Sequence, residues 1–218
     1  MTTAATVPRR EQLLAASALL FAERGFHAVG IDDIGAAAGI SGPGVYRHFA
    51  SKLALLEALC DRAMSQMLQG ATDIMSAQDD PQDALEALVD LHVAFAVEQR
   101  ALIGVWVRET RALSDDVRRS LRRRMRAYEL PWHQVMTQLR DDLDAADVRV
   151  VTGATLAMLN GAALTSPEVD PSQLARLLRR MALSALLSRR APVRRGSGMS
   201  TAARGHLGEA ENYGATGS

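Results

Sequence analysis

The sequence predicts an all-α protein, with an N-terminal three-helix helix-turn-helix unit and a larger C-terminal helical domain. Three observations carry that expectation. Apolar residues recur at helical spacing through most of residues 8–190. Leucine, alanine, methionine and arginine, all good helix formers, are plentiful, while aromatic residues make up only 4%. Two short helical stretches also flank a Gly39-Ile40-Ser41 turn, a tight reversal between helices.

Helix 1 is expected over about residues 8–24, with Leu14, Ala18 and Phe21 on one stripe and Pro8 in its first turn. Gly25 ends it, being free to adopt positive φ. Helix 2 covers about 31–38, with Asp32 and Asp33 at its positive end and Ile34 and Ala38 facing inward. Gly39 stops it. Ser41 is the expected N-cap of a third helix over about 42–49, with Pro43 in the first turn. Val45 and Phe49 then dock inward, which leaves Tyr46, Arg47 and His48 on the surface. Gly42 and Gly44 add no bulk, which suits a backbone brought close to something large.

Helix 4 follows Ser51 as cap, carries Leu55, Leu56 and Leu59 inward, and is expected to reach about residue 69. Asp80 and Pro81 mark the start of helix 5, which carries Leu85, Leu88, Val89, His92 and Phe95. Helix 6 covers about 101–110. Ser114 caps a long helix 7 to about 140, which Pro131 should kink or divide. The last two helices span about 147–164 and 172–190, the latter capped by Asp170 with Pro171 behind it. Val148, Val151, Thr155 and Leu159 on the first, and Leu174, Leu178, Met181 and Ala185 on the second, form broad apolar faces. These suit a four-helix contact between two subunits, although an internal core face has the same pattern. The expected organisation is a flexible arm at 1–7, a helix-turn-helix domain at 8–52, a ligand-binding and dimerisation domain at 53–190, and a disordered tail at 191–218.

Charge and cysteine usage narrow the partners. The 218 residues carry no net charge, with 48% hydrophobic and 23% charged residues, the balance of a soluble globular chain. Residues 1–62 hold Arg9, Arg10, Arg24, Arg47, Lys52 and Arg62 against Glu11, Glu23, Asp32, Asp33, Glu57 and Asp61. Contact with DNA there must be local, because no broad positive field exists. Cys60 stands alone, so no intrachain disulfide forms and a reducing compartment fits. With neither a signal peptide nor an 18-residue apolar span, the expectation is a soluble, cytoplasmic protein without a membrane partner.

A helix-turn-helix places its second helix in the major groove, which is wide enough to admit one. Beyond that pattern, the run from Leu14 to Leu59 resembles the N-terminal domain of the TetR family of transcriptional regulators. The likeness lies in "LFAERGF", in "IDDIGAAAGIS" and in "GVYRHFASKLALLEAL", which agree with the family in order, spacing and residue class. It implies an all-helical homodimer that binds a palindromic double-stranded operator and leaves it when a small molecule enters the larger domain. Tyr46, His48 and Lys52 then match family positions that meet phosphates or support the helix. Their chemistry agrees, since a hydroxyl and an ammonium both suit backbone oxygens. Arg47 has the reach for a phosphate or a guanine edge. The candidate DNA-binding set is Ser41, Gly42, Gly44, Tyr46, Arg47, His48 and Lys52. Gly30 stands where the family often has threonine, and Gly44 where it often has threonine, serine or alanine; both changes remove side-chain contacts.

Helices 5 to 8 contain His92, Phe95, Trp106, Tyr128, Trp132, His133, Met136 and Met158, a mixture able to line an apolar pocket with a few polar handles or simply to pack as core. The arginine-rich run from Arg108 to Arg126 stacks Arg118, Arg122 and Arg126 at four-residue intervals. It reads either as a solvated face paired with Glu109, Asp115 and Asp116, or as a receiver for an acidic head group such as that of a fatty acyl-CoA or other lipid-like effector. The five histidines are scattered, with no metal-ligand spacing, and no P-loop, dinucleotide fingerprint or nucleophile elbow occurs. No cofactor, metal or catalytic residue is therefore expected. The rival readings are a helical sensing or scaffolding protein without DNA activity and an all-helical enzyme.

Overall fold

The computed structural model describes residues 8–165 and 168–189, so the expected arm at 1–7 and tail at 191–218 lie outside it. Among the described residues the chain forms nine α-helices and one 3-10 turn. The first three are α1 (Arg9–Arg24), α2 (Ile31–Ala37) and α3 (Gly42–Val45). Next comes α4 (Lys52–Ala77), which leads into the larger domain. That domain holds α5 (Pro81–Glu98), α6 (Arg100–Glu109), α7 (Asp115–Leu139), α8 (Ala145–Thr165) and α9 (Pro171–Leu187).

Local chemistry sets most of these boundaries. The Ser51 hydroxyl accepts from the Ala54 amide at 3.0 Å. Asp80 accepts from the Gln82 and Asp83 amides, and Asp170 from those of Ser172 and Gln173. Gly25 and Gly39 stand at φ +82° and +69°, a conformation that penalises any residue with a Cβ. The helix α4 runs eight residues past its expected end. Gly70 does not stop it; a Cβ there would stand 2.8 Å from Leu91 Cδ1, so the glycine lets α5 pack close. Pro131 leaves α7 undivided. Its missing N–H removes one rung, and the burial of Tyr128, Trp132, Val135 and Met136 on either side holds the helix together.

A single apolar core runs through both parts, from Leu13, Leu14 and Phe21 in α1 to Leu178 and Leu186 in α9. The helix α4 packs on α1, α5, α6 and α7, and α6 packs on both α1 and α8. Buried Arg140 chelates Asp142 and donates to the Leu186 carbonyl, closing the end of α9. Cys60 is buried in α4. Burial first, and then the charges of Asp61 and Glu57, push its thiol up to about 12, where it is inert.

Candidate nucleic-acid interface and effector cavity

The head of the molecule is built by α1, α2 and α3. Val45 and Phe49 are buried, and Arg10 lies over the Phe49 ring at 4.9 Å from its centroid. The third helix is shorter than expected: it ends at Val45, and residues 46–48 continue as turns. Two glycines among its first three residues explain the weak helix. Ser41 occupies the N-cap position, yet its hydroxyl makes no capping bond; its carbonyl accepts from the Gly44 amide at 2.8 Å instead. Tyr46, Arg47 and His48 are all exposed, and Tyr46 shows 56% of its surface to solvent. A cleft of about 400 Å³ opens beside them, lined by Arg9, Ser41, Pro43, Gly44, Arg47 and His48. Arg9 escaped the sequence reading; only its charge at the start of α1 marked it.

Two expected DNA contacts, Gly42 and Lys52, also serve the fold itself. Gly42 is buried against α2, where a Cβ would fall 1.8 Å from Asp32 Oδ1. The large object its bare backbone approaches is the protein itself. The Lys52 ammonium donates to the carbonyls of Phe26 at 2.8 Å and Val29 at 2.7 Å, lies 3.4 Å from that of His27, and sits over the Phe26 ring. A cation so engaged secures the loop before α2.

The larger domain holds an apolar cavity lined by Ala63, Met64, Met67, His92, Phe95, Leu102, Ile103, Trp106, Met125, Tyr128 and Asn160. Its volume is about 30 Å³, room for a water or two. Of the expected lining, His92, Phe95, Trp106 and Tyr128 are present. Trp132 and Met136 are fully buried core residues, and half-buried His133 and Met158 lie off the cavity. Met64 and Met67 of α4 also line it, and nothing in the sequence separates them from ordinary core methionines. Within the cavity His92 Nδ1 lies 2.9 Å from the Tyr128 hydroxyl, and Nε2 lies 3.1 Å from Asn160 Oδ1. Burial pulls the His92 pKa down to about 4, against a smaller upward effect of Asn160, so the ring is neutral.

A second, open cleft of about 250 Å³ is lined by Trp106, Thr110, Arg118, Leu121, Arg122 and Met125. Trp106 and Met125 belong to both spaces. Arg118 is engaged by the carbonyls of Arg111 and Leu113 and by Asp115, and Arg119 by Asp116. Among the described residues Arg122 is exposed and has no ion pair.

The proposed pairing faces also need correction. Val148, Thr155, Leu159, Leu174 and Leu178 are buried inside the monomer, and Val151 is half-buried. The helix α8 is apolar on both sides, so periodicity could not tell which side was internal. Val150, Ala154 and Ala157 of α8, with Met181 and Ala185 of α9, form the outward face. Nothing stands within 4 Å of a Cβ built on Gly153 or Gly161.

A three-helix head on a helical body with an apolar cavity is the architecture of a helix-turn-helix transcription regulator. Residues 13–59 match the model described as "Bacterial regulatory proteins, tetR family", and residues 78–186 match "Tetracyclin repressor-like, C-terminal domain". The chain belongs to the TetR family of transcriptional regulators. As a member it is a DNA-binding regulator and not an enzyme. It is 28% identical over 182 residues to the HTH-type transcriptional repressor KstR2 of Mycobacterium tuberculosis, covering 78% of this chain and 91% of that protein. It is 38% identical over 87 residues to the HTH-type transcriptional activator FasR of Mycolicibacterium smegmatis, a match that spans only 40% of each chain. The solved structure of AibR in complex with isovaleryl coenzyme A and operator DNA shares the fold, with a TM-score of 0.67 at 18% identity over 80% of this chain and 97% of that one. Among the described residues no helix is long and apolar enough to cross a membrane, and no three acidic, histidine or cysteine side chains are placed to hold a metal.

Proposed function

We propose that the protein is a cytoplasmic, homodimeric repressor that leaves a palindromic operator when a largely apolar, acid-headed molecule of the fatty acyl-CoA or related lipid-like class enters its larger domain. The observation that carries this reading is the shared wall of two spaces. Trp106 and Met125 stand between an apolar interior and an outer cleft that holds the unpaired Arg122. An apolar body belongs inside, and a phosphate-bearing head belongs at the arginine. The likeness to a repressor over 91% of its length favours repression.

The cavity is too small for such a molecule as it stands, so binding requires motion. Met64, Met67 and Met125 are flexible and can repack. The helices that must yield also hold the head. Arg108 of α6 donates to the Ala22 carbonyl of α1 at 3.2 Å, and Arg62 of α4 pairs with Glu11 of α1. Displacing α4 or α6 therefore re-aims α1 to α3. Two heads must match half-sites about 34–36 Å apart, so a small tilt suffices to break the fit. The effector acts only through its difference in affinity for the two arrangements. The outward face of α8 and α9 supplies the dimer contact.

The test is anisotropy of a labelled operator, found by binding-site selection, during titration with palmitoyl-CoA. Release at micromolar palmitoyl-CoA, with free CoA and palmitate at least tenfold weaker, is the expected result. No release by any acyl-CoA chain length would refute the effector class.

A further inference from the structure

We infer that the inner end of the cavity is a reader for an oxygen atom, hydroxyl or carbonyl, carried on the apolar body of the effector. The inference rests on the lipid-like reading above and narrows it to oxygenated chains or rings.

Asn160 Oδ1 is an acceptor, so His92 Nε2 must donate to it; a neutral ring then leaves Nδ1 as an acceptor for the Tyr128 O–H. Both ring nitrogens are thereby consumed. What remains unspent is the N–H donors of the Asn160 amide. Asn160 lines the cavity, whose other walls are Ala63, Met64, Met67, Phe95, Leu102, Ile103, Trp106 and Met125 beside His92 and Tyr128. An N–H donor is thus offered within an otherwise apolar space, the complement of a hydroxyl or ketone oxygen.

The same groups exclude a charged end. His92 is buried and neutral, and no cationic side chain lines the cavity. A carboxylate or phosphate would lose its hydration there without a counter-charge. The anionic head must stay outside near Arg122, and the oxygen read within must be neutral. A plain alkyl body would cover the Asn160 amide without pairing it, and a site built to bond a ligand oxygen discriminates against an analogue that lacks it.

The chain has two tryptophans, Trp106 lining the cavity and Trp132 packed against the Tyr128 and His92 rings, so intrinsic fluorescence of the full-length protein reports binding. The probes are palmitoyl-CoA and its 3-, 10- and 16-hydroxy and -oxo counterparts. At least one oxygenated probe should bind tenfold or more tightly than palmitoyl-CoA. Asn160→Leu and, separately, Asn160→Ala should each erase that ratio. Equal affinity for all probes, or a preference that survives Asn160→Leu, would overturn the oxygen reader and leave the lipid reading standing. Failure of every probe to bind, palmitoyl-CoA included, would overturn both.

Discussion

The ammonium of Lys52 lies 2.7 Å from the carbonyl oxygen of Val29, joining the first residue of α4 to the loop that launches α2. A charge-assisted bond of this kind, repeated on Phe26, fixes the angle at which the reading head leaves the body. Lys52→Met should lower unfolding free energy by about 1–3 kcal/mol, in the range for hydrogen bonds to a charged group. Because Lys52 is spent on the protein, the slope of log affinity against log salt for operator DNA should not change. A slope reduced by about one would instead place the ammonium on a phosphate.

Arg47 and Tyr46 are exposed without a protein partner among the described residues, which is the condition for contact with DNA. Arg47→Ala should weaken operator binding about 10- to 100-fold, the cost of one good arginine contact, with the dimer intact by sedimentation. Tyr46→Phe should weaken it by a smaller factor. Undiminished affinity in both variants would remove these residues from the interface.

Buried His92 makes stability depend on pH. Its ordinary pKa near 6.5 applies to the unfolded chain, and burial lowers the folded value to about 4. A base depressed in this way contributes fully above pH 6.5. As pH falls from 6.5 toward 4 the unfolded state takes up a proton that the folded state does not, and stability declines. The slope approaches 1.4 kcal/mol per pH unit, or on the order of 3 kcal/mol across the window. Urea titrations at pH 7.5, 6 and 5 should show this decline, and His92→Gln should remove it.

The two sides of α8 should respond differently to mutation. Ala157→Glu, on the outward face, should give monomers by sedimentation while helix content is retained. Leu159→Ala, fully buried, should cost about 2–5 kcal/mol of stability through the cavity it leaves. Dimers that survive Ala157→Glu would move the subunit contact elsewhere.

Trp106 and Trp132 should also separate. Trp132 is fully buried and lines neither space, so Trp132→Ala should destabilise the fold by about 3–5 kcal/mol. Trp106 stands between the two spaces, so Trp106→Ala should alter effector response at little cost in stability. Operator release by palmitoyl-CoA, measured beside thermal unfolding, distinguishes them.

Those contrasts also mark what the sequence could and could not disclose. Helix starts were legible because Ser51, Asp80, Ser114 and Asp170 cap through their own side chains, a local property. Gly25 and Gly39 were legible for the same reason. The roles of Lys52 and Gly42 were not, since both depend on segments 10 to 26 residues away that only the fold brings near. The pocket was half legible. Aromatic and methionine residues on α5 to α8 were the right population, but which of them face a void and which pack solid depends on helix rotation. Burial also reversed the expected face of α8, because an apolar helix with two apolar sides carries no signal for which is covered.

The central claim is that Tyr46 and Arg47 stand on an exposed head, duplicated in a dimer, that reads DNA. The most direct measurement is a selection of bound fragments from random genomic DNA, followed by anisotropy titration of the selected site at several salt concentrations. The account predicts a tight complex on a site with two inverted half-sites, with affinity that falls steeply with salt and is lost in Arg47→Ala. Weak binding of equal strength to every fragment, unaltered by Arg47→Ala, would contradict it.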